Sequence, residues 1–422
     1  MWEIVLKVWR HKDLRKKIGY VLGLLVIFRF AAHIPIPGID ISNLESFFNS
    51  NAYLGLLNVF TGGALENFSI VMLGVGPYIT ASIVFQLLNM IVPKFEEMQK
   101  EADGQKKIQQ WTRYLSVPLA MAQGYGTIAL LQRSGGGVIG ELSAIQWVTA
   151  ITLVTAGSVF VMWLGELITE KNIGNGISLM IFAAIVARIP TSIQQMFTTY
   201  DPSQLPTIVL FAAFALIMIY GIVFVTEGQR NIPIATARQS RGQAGVQTHL
   251  PIRVNQAGVI PIIFAVSLVL FPPIIGQFMT TSAIGWASTV GYFIVDAFNN
   301  QFIYGGLYFT FVFIFTYFYT AVIFKPEQIA ENLQKRGSFI PGVRPGKPTS
   351  DYLNYISNHI LLFGAIFLGV VAVLPVALQA FAVGGANSMV IGGTSLLIVV
   401  SVAIETVKQI QAQLQVRDYE RF

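Results

Sequence analysis

The 422-residue sequence contains no cysteine and few charged residues. The missing cysteine excludes disulfide bonds, thiolate metal sites and cysteine nucleophiles. Charged residues make up 11% of the chain and hydrophobic residues 54%, whereas a soluble domain carries about 25% charged residues. The mean hydropathy is +0.62. Because a charged shell is missing, we expect most of the surface to face something other than water.

Patterns for catalysis and cofactor binding are also missing. The chain has no phosphate-binding Gly-x4-Gly-Lys-Ser/Thr and no zinc-binding His-Glu-x-x-His. The four histidines are scattered, and we interpret them as interface or loop residues: His11, His33, His249 and His359. We therefore predict no catalytic residues, no metal, no cofactor and no enzymatic activity. Any work that the protein does must draw its energy from a partner.

Long apolar runs dominate the sequence. A bilayer core about 30 Å thick needs roughly 20 apolar residues for each crossing helix. The first run follows basic residues, as in a signal peptide, but no small-residue cleavage site closes it, so we expect a retained helix. We predict an all-α polytopic membrane protein with ten transmembrane helices, at 18–37, 72–92, 114–132, 146–168, 176–197, 206–226, 256–276, 304–324, 356–376 and 390–409.

The basic residues predict the orientation in the membrane. Nearly all Lys and Arg residues precede span 1, follow span 10 or lie in loops on that same side; Arg133 alone lies in an opposite-side loop. The positive-inside rule therefore places both termini in the cytoplasm, as an even number of spans requires. Arg29 and Arg188 are the only ionisable residues well inside spans, and the carboxylates Glu166 and Glu405 lie near cytoplasmic ends.

Ten spans divide into an N-terminal half, 1–200, and a C-terminal half, 201–422, with five spans each. An odd number of spans per half inverts the second half in the membrane and places a pathway at the interface between the halves. The segment 58–70 is too short to span and too apolar for an ordinary loop. A re-entrant helix buried in protein and an interfacial helix on the outer surface are equally compatible with its composition.

Two predicted cytoplasmic loops, at 227–255 and 325–355, contain structured stretches in addition to the basic residues that set the membrane orientation. The first contains Arg241-Gly242, a possible hairpin turn, and the second a polar helical stretch at 326–336. A Pro/Gly-rich frame follows that stretch and projects Arg344 outward. Positive-inside topology explains the charges but not this stiff frame. We therefore predict a docking role, toward ribosomal RNA phosphates or an acidic protein surface.

Five motifs identify a family. Ile-Gly-Asn-Gly-Ile-Ser precedes span 5, and Phe-Ile-Pro-Gly-Val-Arg-Pro-Gly lies in the second long loop. With these two, the sequence resembles the SecY family of protein-translocation channels over essentially its whole length, at 76–88, 173–178, 248–261, 339–346 and 392–400. The resemblance implies a channel of the general secretory pathway that translocates unfolded preproteins and releases transmembrane segments laterally into the bacterial cytoplasmic (inner) membrane.

The resemblance also implies an hourglass pore between the halves, narrowed by a ring of six apolar side chains. We call this set the isoleucine ring, and it comprises Ile79, Ile83, Ile177, Ile181, Ile263 and Ile398. The spacing along the chain independently supports two pairs, Ile79 with Ile83 and Ile177 with Ile181, because residues four apart share one helix face. A narrow apolar constriction dewets and so blocks ions without binding anything.

Further site residues follow from the resemblance. The segment 58–70 becomes a plug that closes the outer funnel, with Asn58, Phe60, Gly62, Gly63, Leu65, Phe68 and Ile70. Polar positions near the ring are Gln86, Asn175 and Asn255, which hold the closed state. A lateral gate lies between spans 2 and 3 and spans 7 and 8, with Phe271 at the end of the gate helix.

The implied partners are the SecE and SecG subunits, the SecA motor ATPase, the ribosome, preprotein signal sequences and membrane lipid. The implied docking residues for SecA and the ribosome are Arg238, Arg241, Arg344 and Lys347. Two other interpretations remain from the residues alone. One is a secondary transporter with inverted repeats, which needs an ionisable site at mid-membrane. The other is an insertase without an aqueous pore.

Overall fold

The computed structural model describes residues 11–37, 61, 63–65, 67–101, 103–133, 142–198, 205–236, 248–280, 284–381 and 393–419. Within these ranges the chain is mainly helical. The helices are α1 (Lys12–Ala31), α2 (Gly76–Ile91), α3 (Pro93–Lys100), α4 (Gly104–Arg133), α5 (Ala144–Thr169), α6 (Gly176–Thr198), α7 (Leu205–Glu227), α8 (Ile260–Thr280), α9 (Gly285–Asn299), α10 (Gln301–Ile323), α11 (Pro326–Lys335), α12 (Lys347–Phe381) and α13 (Gly393–Tyr419). The strands are β1 (Gln229–Thr236), β2 (Thr248–Arg253) and β3 (Ser338–Phe339).

Each of the ten predicted spans overlaps one helix: α1, α2, α4, α5, α6, α7, α8, α10, α12 and α13. Within the described ranges, four helical stretches are long and apolar enough to cross a membrane: Ala144–Thr169, Gln301–Lys335, Lys347–Leu374 and Ser395–Gln415. Shorter apolar stretches are Gly76–Ile91, Gly176–Thr191, Ala212–Glu227 and Ile260–Val269. That all ten helices cross the membrane therefore stays a prediction.

Local sequence signals set several helix ends. Ser143 and Gln146 form a capping box at the start of α5, in which the Ser143 hydroxyl accepts from the Gln146 amide. Asn300 begins α10 and accepts hydrogen bonds from the amides of Phe302 and Ile303. Proline occupies the first turn of α2, α3 and α11, where its missing amide proton leaves no hydrogen bond unmade.

The helix α9 was not among the predicted elements. It lies between spans 7 and 8 and packs against α8, where Gly291 allows close approach: a Cβ there would lie 2.5 Å from the backbone nitrogen of Thr280. Its 15 residues are too few for a membrane crossing. The apolar length of roughly 20 residues that predicts a transmembrane span therefore does not detect a helix as short as α9.

The segment 61–75 differs from the expected re-entrant helix. Its described residues form hydrogen-bonded turns, and Gly63 (φ +85°), Phe68 (φ +44°) and Gly74 (φ +52°) adopt left-handed backbone conformations. A right-handed helix cannot accommodate residues with positive φ. For the described part of 58–70, the prediction of a helix is wrong, and Asn58, Phe60 and Gly62 lie outside the described residues.

The described part of this segment is nevertheless buried in protein. The Leu65 and Phe68 side chains are fully buried and pack in a small apolar cluster with Ile128 of α4 and Val154 of α5. The Ser69 hydroxyl donates to the backbone oxygen of Ala31 at 2.8 Å. These contacts favour burial within the protein over a position on the outer surface.

Gly157 of α5 allows the segment 61–75 to pack closely against that helix. A Cβ at Gly157 would lie 2.0 Å from the backbone oxygen of Ile70, a distance at which the backbone must move. One residue further, the Ser158 hydroxyl donates to the backbone oxygen of Gly74 at 3.1 Å. Helix α5 therefore fixes residues 70–74 by contact and by a hydrogen bond.

We predict that Gly157→Ala lowers the stability of the folded chain by about 1–3 kcal/mol, the usual cost of overpacking. The physical reason is displacement of Ile70 from α5. The measurement is the thermal unfolding midpoint of the purified protein in detergent. Gly23→Ala in α1 is the matched control, because a Cβ there meets nothing within 4 Å. Equal midpoints for the two variants would contradict the prediction.

Candidate functional site

The six residues of the isoleucine ring come from four helices: Ile79 and Ile83 from α2, Ile177 and Ile181 from α6, Ile263 from α8 and Ile398 from α13. Five are buried, with side chains at most 7% exposed, and Ile177 is half-buried. All six belong to, or pack against, a single apolar cluster that extends through helices of both 1–200 and 201–422. The structure therefore gathers into one core the residues that the sequence placed far apart.

Close packing of α5 on α6 positions the ring residues of α6. A Cβ at Gly176 would lie 1.8 Å from the backbone oxygen of Gly165, so only glycine allows this approach. Asn175 caps the helix, because its Oδ1 accepts from the amides of Ile177 (3.1 Å) and Ser178 (3.2 Å). The start of α6, and with it Ile177, is thereby fixed to the end of α5.

The three polar positions near the ring do not form one network among the described residues. The Gln86 amide donates to the Ser82 hydroxyl at 3.0 Å, and the Asn255 amide donates to the Gly258 backbone oxygen at 3.2 Å. Within the described ranges, the Asn175 side chain accepts hydrogen bonds only from backbone amides at the start of α6. The side-chain oxygens of Gln86 and Asn255 are buried without a hydrogen-bond partner in the described structure. Each such oxygen costs about 1–3 kcal/mol in this arrangement.

The plug segment reaches the core of the ring from the side of α5. Ala64 and Val71 lie in the same apolar cluster as the ring. Ile70 packs against that cluster and also against the cluster that holds Leu65 and Phe68. Of the described plug residues, Ile70 therefore packs against the cluster that contains the ring, whereas Leu65 and Phe68 lie in the neighbouring cluster.

The predicted lateral gate lies where α8 contacts α2 and α4. On one side, Phe264 of α8 packs edge-on against Phe315 and Tyr319 of α10, with ring centroids 6.0 Å apart in each case. On the other side, the Gln123 amide of α4 contacts the Thr80 hydroxyl of α2 at 3.4 Å. Phe271 lies within α8 immediately before Pro272 and Pro273. The two helix pairs are in contact in this structure.

The two long loops, 227–255 and 325–355, join in one three-stranded sheet, in the order β2-β1-β3. Strands β1 and β2 pair antiparallel from Gln229↔Arg253 to Ile234↔Thr248, and Ala235 of β1 pairs with Phe339 of β3. Arg238, Arg241 and the predicted turn at Arg241-Gly242 lie outside the described residues. A separate apolar core lies beneath the sheet and contains Ile232, Ile252, Ile340, Leu353 and Ile356.

The sheet leads directly into the gate helix. Strand β2 ends at Arg253, and the following residues hold α12: the Gln256 amide contacts the Ser357 hydroxyl at 3.2 Å. A Cβ at Gly364 of α12 would lie 2.6 Å from the backbone oxygen of Val254. The loops, the start of α8 and the first half of α12 therefore form one packed unit.

Arg344 lies at the exposed tip of the second loop. Gly342 (φ +85°) and Gly346 (φ +95°) supply the left-handed conformations that the turn needs. The buried Thr349 hydroxyl donates to the Arg344 backbone oxygen at 2.8 Å. Lys347 is also exposed and begins α12. The guanidinium of Arg344 forms no ion pair with another described residue, so it is available to a partner.

Arg113 of α4 and Glu166 of α5 form an ion pair, with the two side chains 2.7 Å apart. Arg29 and Arg188 interact electrostatically with each other. Within the described part of the chain, no group of three or more His, Asp or Glu residues could hold a metal ion.

Comparison with known proteins identifies the family. The family described as SecY matches residues 69–407. The chain is 42% identical over 435 residues to Protein translocase subunit SecY of Mycobacterium bovis, and the match covers 98% of each chain. The chain belongs to the SecY family.

Solved structures show the same fold at low sequence identity. A structure described as that of a protein-conducting channel superimposes with a TM-score of 0.66 at 18% identity, covering 94% of this chain and 91% of that one. Sec61 in the canine ribosome-channel complex from the endoplasmic reticulum superimposes with a TM-score of 0.64 at 17% identity, with the same coverage. At such identities the likeness establishes the fold of this SecY-family chain.

We predict that Thr349→Val loosens the Arg344 turn, because it removes one buried hydrogen bond worth about 0.5–1.5 kcal/mol. Amide hydrogen exchange of residues 340–346, followed by mass spectrometry, is expected to accelerate about three- to tenfold. Thr310→Val is the matched control, since its hydroxyl donates to the Gly306 backbone oxygen within α10. Unchanged exchange at 340–346 would show that Thr349 does not hold the turn.

Proposed function

We propose that this SecY-family chain is the protein-conducting subunit of a translocase, a channel rather than a catalyst. The observation that supports the proposal is that the six isoleucines, from four helices of both 1–200 and 201–422, belong to or pack against one apolar cluster. The pathway lies between these two inverted halves. Unfolded preproteins of the general secretory pathway pass through the ring.

The chemistry of the ring suits a polypeptide of any sequence. Isoleucine side chains offer neither donors nor acceptors, so they bind no particular residue of a passing chain. Without a chain, a narrow apolar constriction expels water and blocks ions. The secondary transporter is less favoured, because the family match and the curated relatives are protein translocase subunits.

Closure and lateral exit use the elements next to the ring. Residues 58–70 act as the plug, supported by the burial of Leu65 and Phe68 and by the hold of Gly157 on Ile70. Parting of α8 and α10 from α2 and α4 opens the lateral gate. A signal sequence or transmembrane segment then leaves for lipid, since its apolar surface is more stable in hydrocarbon than in an aqueous funnel.

The cytoplasmic sheet and the Arg344 turn form the docking platform. Exposed basic side chains there suit ribosomal RNA phosphates and the acidic surface of a motor. The likeness to Sec61, described in a ribosome-channel complex, supports the ribosome as a partner. SecA uses the same platform, with Arg344, Lys347, Arg238 and Arg241 as contacts, and SecE and SecG complete the channel in the membrane.

The chain resides in the bacterial cytoplasmic membrane as a multi-pass protein with both termini in the cytoplasm. The distribution of basic residues supports this orientation. It places the sheet, α3 and α11 on the cytoplasmic side, and the plug segment and α9 on the opposite side. The platform then faces the compartment in which precursors are synthesised.

We predict that Ile398→Asn opens the ring. A carboxamide in this apolar core costs about 1–3 kcal/mol in the closed state, so the open state gains population. The measurement is ion conductance of the reconstituted channel without a precursor, together with secretion of precursors that carry defective signals; both are expected to rise. Ile398→Leu keeps an apolar side chain and is expected to conduct like the parent. Equal conductance of the Asn and Leu variants would remove Ile398 from the seal.

We predict that Arg344→Glu abolishes motor-driven secretion while the protein stays folded. The reason is reversal of charge at an exposed side chain that makes no ion pair with another described residue. The assay is translocation of a precursor into vesicles, with the unfolding midpoint as the check on folding. Arg336→Glu changes another exposed basic residue of the same loop and is expected to retain most activity. Normal secretion by Arg344→Glu would contradict the docking role.

A further inference from the structure

An open cavity of about 510 Å³, lined by both polar and apolar surface, lies on the cytoplasmic side of the ring helices. It is bounded by the connection between α5 and α6 and by the C-terminal part of α13. The side chains that matter for its chemistry are Asn172, Asn175, Glu405, Gln409 and Gln413. None of the functions proposed above uses Glu405, Gln409 or Gln413.

The walls of the cavity are tied in place. The Thr169 hydroxyl accepts from the Gly176 amide and donates to the Gly165 backbone oxygen, both at 2.9 Å. Asn172 adopts a left-handed conformation (φ +56°), and its backbone oxygen accepts from the Gln413 amide. The connection between α5 and α6 is therefore fixed to α13, and the cavity keeps its shape.

The cavity continues the ring toward the cytoplasm. Glu405 follows Ile398 by seven residues on α13, which places both on one face of the helix, and Gln409 follows one turn later. On the opposite wall, Asn175 immediately precedes α6, the helix that carries Ile177 and Ile181. A polypeptide that threads the ring from the cytoplasm passes this wall first.

The wall is rich in acceptors. Glu405 is exposed and forms no ion pair with another described residue, although Arg253 acts on it electrostatically. The neighbouring Lys408 is instead paired with Glu227 at 2.8 Å. The exposed Glu405 carboxylate, with the Gln409 side chain one helical turn away in the same lining, suits an ammonium or guanidinium group.

We propose that this cavity receives a lysine or arginine side chain of the polypeptide in the channel, with Glu405 as the charge that selects it. The inference rests on the proposed channel function and adds a specificity-determining residue to it. Basic residues that precede an apolar segment would be retained on the cytoplasmic side while the apolar segment lies at the ring. Glu405 thereby contributes to the orientation in which a segment is accepted.

Charge exchange between channel and polypeptide tests the proposal. The probe is a polypeptide with one apolar segment preceded by two lysines, two glutamines or two glutamates, with one cysteine beside that pair. The channel, which has no native cysteine, carries Ala412→Cys in the cavity wall and is used in membrane vesicles with its own subunits. Disulfide yield is measured for Glu405, Glu405→Gln and Glu405→Lys. Glu170→Lys is the control, an exposed carboxylate outside the cavity.

With Glu405 we expect the lysine probe to crosslink best, with about two- to fivefold loss of yield in Glu405→Gln, as for a partly exposed ion pair. In Glu405→Lys the glutamate probe should become the preferred one, while Glu170→Lys behaves like the parent. The proposal would be overturned if the disulfide yield did not depend on the charge of the probe in any of the three channel variants. Crosslinking of Ala412→Cys to a resident subunit instead of the probe would also overturn it.

A second reporter separates this inference from the channel function itself. A probe cysteine within the apolar segment is paired with Ile398→Cys at the ring. If the ring crosslink forms while the cavity crosslink is independent of charge, only the role of Glu405 is wrong. If neither crosslink forms and no probe crosses the membrane, the proposed channel function fails, and the inference fails with it.

Discussion

The structure depends on an apolar contact between two sets of helices that must hold without being permanent. Ile79, Ile83, Ile181, Ile263 and Ile398 lie in one core that both halves share. Apolar contact is non-directional, so helices can part and return without restoring particular hydrogen bonds. In contrast, the fixed parts of the molecule use contacts that tolerate no change, such as Gly176 against Gly165 and Gly157 against Ile70. The chain thus combines a large apolar core with close backbone contacts that only glycine allows.

Hydrophobic length predicted the positions of the helices well, because each predicted span overlaps one helix. The ring isoleucines came from the family resemblance and stay a prediction. What the sequence could not predict depends on tertiary contact. The turns at 61–75 require positive φ at Phe68, a residue type with no tendency toward it, and they are stabilised by burial against Ile128 and Val154. The three polar positions near the ring resemble a network in sequence, yet the described Gln86 and Asn255 satisfy their amides locally.

In the two long loops, too, local features were predictable from the sequence and tertiary contacts were not. A stiff, exposed Arg344 was predictable from its flanking prolines and glycines. The pairing of β1 with β3 was not, because it joins residues more than one hundred positions apart, and a two-residue strand such as Ser338–Phe339 carries no periodic signal. Through Gln256, Ser357 and Gly364, residues that follow the sheet pack against α12 just before α8 begins.

The shared sheet also restricts how this chain can vary in length. Strand β1 pairs with β2 on one side and with β3 on the other, so inserting a residue in any strand would invert the side chains beyond it and expose Ile232 or Ile252. The described strands of this sheet can therefore change by substitution far more readily than by insertion or deletion.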